Sequence, residues 1–250
     1  MRFAVYRPPR AERAKVPVLY FLSGLTCTEE NFVIKAGAQR LASDLGLMLV
    51  VPDTSPRDTG IAGEADTIYF GAGAGLYLDA TQSPWSRFFQ MYTYVTKELP
   101  ELIAAHFPAD MSRESIFGHS MGGHGALTIA LKSPGRFRSV SAFAPICAPM
   151  HSEWVQAAFE QYLGPDRETW KAYDATELVA RQRLPFEVLI DQGTNDESLP
   201  NLNPALFEDA CRRAGQPLRL RMQPGYDHNY YFISSFIEDH MRHHAMALNA

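Results

Sequence analysis

Hydrophobic positions along the chain fall into short unbroken runs, separated by longer stretches with a helical period. The runs are Val16–Leu22 (VPVLYFL), Leu47–Pro52, Ser115–Phe117, Ser139–Phe143, Phe186–Asp191 and Leu218–Met222. A strand with one wet face alternates apolar and polar residues. An unbroken apolar run is what a strand covered on both faces shows. Helices are predicted over Glu30–Asp44, Met91–His106, Met121–Lys132, Pro204–Ala214 and Tyr230–Ala247. In the first, Phe32, Ala36 and Leu41 fall on one face, and Gly46 follows as a C-terminal cap. Strands that alternate with helices predict an α/β fold, a mostly parallel twisted sheet with helices on both faces.

Two stretches break the alternation. Thr54–Trp85 is rich in Gly and Asp and has no clear period; long loops in compact domains are usually functional or disordered, and the aromatics Tyr69, Phe70, Tyr77 and Trp85 predict a folded one. Residues 149–183, with Trp154, Tyr162, Trp170 and Tyr173, read as a helical insertion above the strand ends. The 250 residues fit a single domain spanning 1–250.

Composition excludes more than it assigns. Hydrophobic residues make up 46% and charged residues 20%, as in ordinary globular chains. The net charge of −5 and the lack of any Lys/Arg cluster argue against a nucleic-acid partner. No apolar run approaches the ~20 residues of a membrane-spanning helix, and MRFAVYRPPR has no signal-peptide core. Cys27, Cys147 and Cys211 are odd in number and widely spaced, which reads as reduced thiols in a cytoplasmic protein. No metal or cofactor is expected.

Gly118-His119-Ser120-Met121-Gly122 matches G-x-S-x-G. It follows the short run SIF and opens a helix rich in small residues, the context a nucleophile elbow requires. The serine sits in a strained turn, so the residues two before and two after must lack bulk. Ser120 is therefore the expected nucleophile, and the Met121 N–H at the helix start an oxyanion donor. The alternative is a Gly-rich junction with an incidental serine.

In this arrangement the acid and then the histidine follow the serine in chain order. His228 lies in the turn Gly225–His228, between the last strand and the final helix. Asp196 lies just beyond the run FEVLID, where a loop can aim it at His228. Asp191 is expected to stay in the strand, and Asp227 adjoins His228 too closely to hold its ring. His240, His243 and His244 have a spacing that metal sites use, but without a carboxylate or cysteine partner they read as a solvated helix face. The second oxyanion donor should come from the loop Ser23–Thr28, with the Leu25 N–H favoured. That places Cys27 near the site, as a small pocket-lining group or a modifiable thiol.

The segments LSGLTCTEENF, VVPDTSPR, FGAGAGLYLDAT, MYTYVTKELP, SIFGHSMGGHGALTIALK, SVSAFAPIC, YLGPDRETWKAYDAT, LIDQGTND and GYDHNYYFISSFIEDHMRHHA resemble the S-formylglutathione hydrolase family almost end to end. The resemblance implies the α/β-hydrolase fold, with the family's triad on Ser120, Asp196 and His228 and its oxyanion hole on the Leu25 and Met121 amides. It also implies hydrolysis of S-formylglutathione to formate and glutathione in formaldehyde detoxification. The enzyme would be cytoplasmic, commonly a homodimer, and able to cleave small esters. Trp85 and Trp154, from the two irregular stretches, are candidate walls for the glutathione part, against the more common reading of each as a packing residue.

Two departures stand out. Family members carry a further segment before the strand matching Arg2–Pro8, so the N-terminal strand region is expected to be shortened. Glu197–Leu206, beside Asp196, looks shorter and more polar than the family's segment. The rival readings are a broad short-chain carboxylesterase and a non-catalytic binding module on a hydrolase fold.

Overall fold

A computed structural model describes residues 1–250. Its centre is a seven-stranded sheet of order β1-β3-β2-β4-β5-β6-β7. The strands are β1 (Phe3–Tyr6), β2 (Val16–Leu22), β3 (Met48–Pro52), β4 (Ala109–His119), β5 (Phe137–Phe143), β6 (Val188–Gly193) and β7 (Leu218–Gln223). All neighbours pair in parallel except β1, which lies antiparallel on β3 at one edge. Every residue of β2, β3 and β6 is buried, which explains their unbroken apolar runs. The edge strand β1 is half-buried throughout.

The helices are α1 (Glu29–Lys35), α2 (Ala38–Leu45), α3 (Met91–Thr93), α4 (Leu99–His106), α5 (Met121–Lys132), α6 (Glu153–Leu163), α7 (Arg167–Trp170), α8 (Ala175–Val179), α9 (Leu199–Leu202), α10 (Pro204–Ala214) and α11 (Tyr230–Leu248). α11 packs on β5 and on α2, while α5 packs on β4, β5 and α8. One continuous apolar cluster runs through these layers. Residues 149–179 are largely helical, through α6 to α8.

Several sequence expectations need correction. The helix expected over Glu30–Asp44 is two helices, because Gly37 adopts φ 71° between them. The stretch Met91–His106 is helical but carries a π turn at Tyr94–Glu98. Pro100 has no N–H to offer the Thr96 carbonyl, which instead accepts from Arg136 Nη1 at 2.7 Å. β4 is far longer than Ser115–Phe117, because its polar first half still pairs with β2 across a bulge at Pro17/Val18.

The final-helix histidines are not a solvated face. His240 and His244 are fully buried. They lie one helical turn apart, facing Ser139 and Ser141, which alternate onto one face of β5. Ser139 Oγ meets His244 Nδ1 at 2.8 Å, and Ser141 Oγ meets both His244 Nε2 and His240 Nδ1 at 2.8 Å. His240 Nε2 meets Asp191 at 3.1 Å, and Arg221 closes the chain with an ion pair to Asp191. A buried polar seam is tolerated where each member has such partners.

Candidate active site

The end of β4 and the start of α5 leave one residue between them, Ser120. Its backbone stands at φ 57°, ψ −119°, a conformation that costs a non-glycine residue roughly 1–3 kcal/mol. Three backbone hydrogen bonds hold it there: Ser120 N–H donates to Phe143 O at 3.0 Å, and Ser120 O accepts from the His124 N–H at 3.0 Å and the Ile146 N–H at 3.2 Å. A Cβ on Gly118 would lie 2.3 Å from Gly122 O, and one on Gly122 would lie 1.9 Å from Leu22 O. Neither position can carry a side chain, which is the physical content of the G-x-S-x-G pattern.

At the end of β6 the chain turns to place Asp196, and after β7 it turns again to place His228. The two turns are joined by Asn195 N–H donating to Tyr226 O at 2.9 Å and Gly225 N–H to Thr194 Oγ1 at 3.0 Å. Between the side chains, His228 Nδ1 lies 2.7 Å from Asp196 Oδ2. An ionised Asp196 makes Nδ1 the protonated nitrogen and leaves Nε2 as an acceptor. Asp196 also accepts from Gln192 Nε2 at 2.9 Å and from the Ser198 N–H at 2.8 Å. Burial alone would push its carboxyl pKa up. The His228 hydrogen bond and charge, with Gln192 and Ser198, outweigh burial and hold it below the usual carboxylate range.

The Ser120 hydroxyl makes no direct hydrogen bond to His228 in this structure. His119, which precedes Ser120, has its ring centroid 4.5 Å from that of His228. Catalytic hydrogen bonds of this kind often tighten only with substrate present. Burial, and then the nearby His228, keep His119 neutral by lowering its pKa well below the ordinary histidine value.

The backbone around Gly24 passes close by: a Cβ there would lie 3.2 Å from Ser120 Cβ. The Leu25 N–H has no backbone partner, whereas the next two amides of that loop do, Thr26 to Gly73 O and Cys27 to Gly24 O; Met121 is the first residue of α5, where an N–H has no carbonyl of its own helix to meet. Leu25 follows Gly24 in the loop that approaches Ser120, and Met121 follows Ser120 itself, so these two amides are the candidate donors for an oxyanion.

The candidate pocket residues separate. Cys27 is half-buried, and burial raises its thiol pKa. Trp85 is only 4% exposed and makes edge-on contacts with Phe70, Phe89 and Tyr162, so its surface is spent on packing. Trp154 remains partly exposed, tilted against Tyr69 at 5.8 Å. A groove of about 570 Å³ opens beside the His228 turn, lined by Lys35, Asn229, Tyr230, Tyr231 and Ser234. A second Ser–His–Asp set, Ser141 with His240, His244 and Asp191, has every member 1% exposed or less and no route for a substrate. Sequence reasoning missed Gln192, whose only signal is its place at the end of a strand that feeds the site.

Fold and site together define a serine hydrolase of the α/β-hydrolase class. Comparison with known proteins narrows this. A family model described as putative esterase matches residues 1–243. S-formylglutathione hydrolase from Rattus norvegicus is 58% identical, aligned over 100% of this chain and 90% of its own. The Arabidopsis thaliana protein of the same name is 55% identical, over 99% and 88%. An S-formylglutathione hydrolase structure from Agrobacterium tumefaciens superimposes with a TM-score of 0.96 at 56% identity, covering 98% of this chain and 89% of that one. The chain belongs to the S-formylglutathione hydrolase family of esterases.

Proposed function

We propose that this protein hydrolyses S-formylglutathione to formate and glutathione, with Ser120 as nucleophile, His228 as base and Asp196 as its orienting acid. The observation that carries the reading is the strained Ser120 turn beside a 2.7 Å His228–Asp196 contact, in a chain 52–59% identical to proteins of that name along its whole length. Ser120 Oγ attacks the formyl carbon while its proton passes to His228 Nε2. The carbonyl oxygen becomes an oxyanion facing the Leu25 and Met121 amides, each worth roughly 3–4 kcal/mol in comparable sites. Collapse breaks the C–S bond, and the departing glutathione sulfur takes the proton from His228 Nε2, which leaves the base neutral again. Water then gives a proton to His228 and its oxygen to the formyl carbon, and formate leaves as Ser120 regains its proton.

Cys27 and Trp154 border the substrate in this reading, and Trp85 supports them from within the core. No helix is long and apolar enough to cross a membrane. Three unpaired cysteines fit a cytoplasmic location, and a homodimer belongs to the same proposal. The test is kcat/KM for S-formylglutathione beside a short-chain aryl ester, with Ser120→Ala in parallel. We expect a strong preference for the thioester and a loss of at least about 10³-fold in the variant. Equal rates on both substrates would make the protein a broad esterase. A variant that keeps most of its activity would remove Ser120 from the mechanism.

A further inference from the structure

We propose that the Tyr77 hydroxyl is a positioning group for the oxyanion hole: it holds the Ser23 carbonyl and thereby aims the Leu25 N–H at the reacting centre. The inference rests on the reading of Ser120 and Leu25 above. It begins from the Gly-rich segment 71–77, which packs beneath the loop that carries Leu25 and grips it on both sides. Upstream, Tyr77 Oη–H donates to Ser23 O at 2.9 Å, a bond buried from solvent. Downstream, the Thr26 N–H donates to Gly73 O at 2.8 Å. Between these two anchors lie only Gly24 and Leu25. Gly24 has the widest backbone freedom of any residue, so the direction of the Gly24–Leu25 peptide depends on what holds its neighbours.

The backbone around the anchors is strained. Thr26, Leu76 and Tyr77 all have left-handed φ, of 67°, 49° and 51°. Non-glycine residues stay in that region only where the surroundings impose it, and such strain clusters at functional sites. Tyr77 itself is fully buried. Its ring packs against α5, close enough that a Cβ on Gly125 would sit 2.6 Å from a ring carbon. The phenol is thus braced on the same helix whose first N–H, from Met121, supplies the other donor. One side chain spans the two halves of the oxyanion hole. A buried tyrosine of pure packing value would be equally served by phenylalanine, apart from the Ser23 carbonyl left without its donor.

Placement errors near 1 Å in such sites cost on the order of 10²-fold in rate. Tyr77→Phe should therefore lower kcat on S-formylglutathione by about 10–100-fold with KM within twofold. Its affinity for an alkylboronic acid, whose tetrahedral Ser120 adduct carries an oxygen in the hole, should fall by a similar factor. Its affinity for glutathione, which leaves the hole empty, should be unchanged. A structural role alone would not separate these two ligands. Gly125→Ala, which pushes the ring off the helix, should give the same split and serves if Tyr77→Phe does not fold. Unchanged kcat, or equal losses of boronate and glutathione binding, would overturn the inference. Ser120→Ala in the same series separates the failures: if it stays active, the reading of the site is wrong, and if it alone is dead, only the role of Tyr77 is.

Discussion

Replacing Asp196 with Asn removes one oxygen from a carboxylate that accepts three hydrogen bonds, and the structure says which oxygen is lost. Oδ1 accepts from the Ser198 backbone N–H, which cannot reverse its polarity. Oδ2 accepts from Gln192 Nε2 and from His228 Nδ1. Both of those partners can change roles. Gln192 can turn its amide, since its Oε1 is buried without a partner, and His228 can move its proton to the other nitrogen. The new amide nitrogen therefore replaces Oδ2 and donates to His228 Nδ1. The imidazole proton then sits on Nε2, where Ser120 needs an acceptor. A base in the wrong tautomer, with no carboxylate to steady the imidazolium, costs about 10³–10⁴ in kcat, or about 4–5.5 kcal/mol of barrier. The assay is steady-state hydrolysis of S-formylglutathione at pH 7.5, with circular dichroism to show that the variant is folded. A loss below tenfold in a folded variant would mean that Asp196 does not set the protonation of His228.

Gly122→Ala puts a methyl 1.9 Å from Leu22 O and 2.6 Å from Ser23 O, both backbone atoms that must move together with the oxyanion loop. Overpacking of this kind costs about 1–3 kcal/mol, so both the denaturant midpoint and kcat should drop, and a wild-type kcat would contradict the close fit. Stability should also depend on pH. His240 and His244 are fully exposed to protonation only when unfolded, because burial, above all, lowers their pKa in the native state. Below about pH 6.5 the unfolded chain binds more protons, so stability is full above that value and declines as pH falls, by up to about 1.4 kcal/mol per unit for each histidine. Asp191, held down to about 2 against the push of burial by His240 and Arg221, adds stability that is lost only below about pH 3.9. A urea midpoint that is equal at pH 7.5 and 5.5 would show that the histidine seam is not buried neutral.

The elements most legible from sequence were those whose local chemistry agreed with their environment. α5 and α10 match their predicted bounds, Met121–Lys132 and Pro204–Ala214, and β2 matches Val16–Leu22. Harder to see were features that depend on a distant partner. The first half of β4 is polar and became a strand only because β2 lies beside it. The break at Gly37 needed a left-handed turn that a single glycine permits but does not demand. The histidines of α11 looked solvent-facing because their partners, Ser139 and Ser141, are a hundred residues away.

Sequence by itself determined the chemistry on offer here: a serine between two glycines at a strand-to-helix junction, with an aspartate and a histidine each placed after a later strand. These are local facts, set by steric limits on the backbone and by the order of elements. Tertiary structure alone decided that a second carboxylate also finds a histidine: Asp196 meets His228 in the turns after β6 and β7, while Asp191 meets His240 in the buried seam under α11. It also decided that Gln192 and Tyr77 stand behind the site. Hydrogen bonds and close packing act over a few ångströms of space, and the residues that share that space are far apart along the chain.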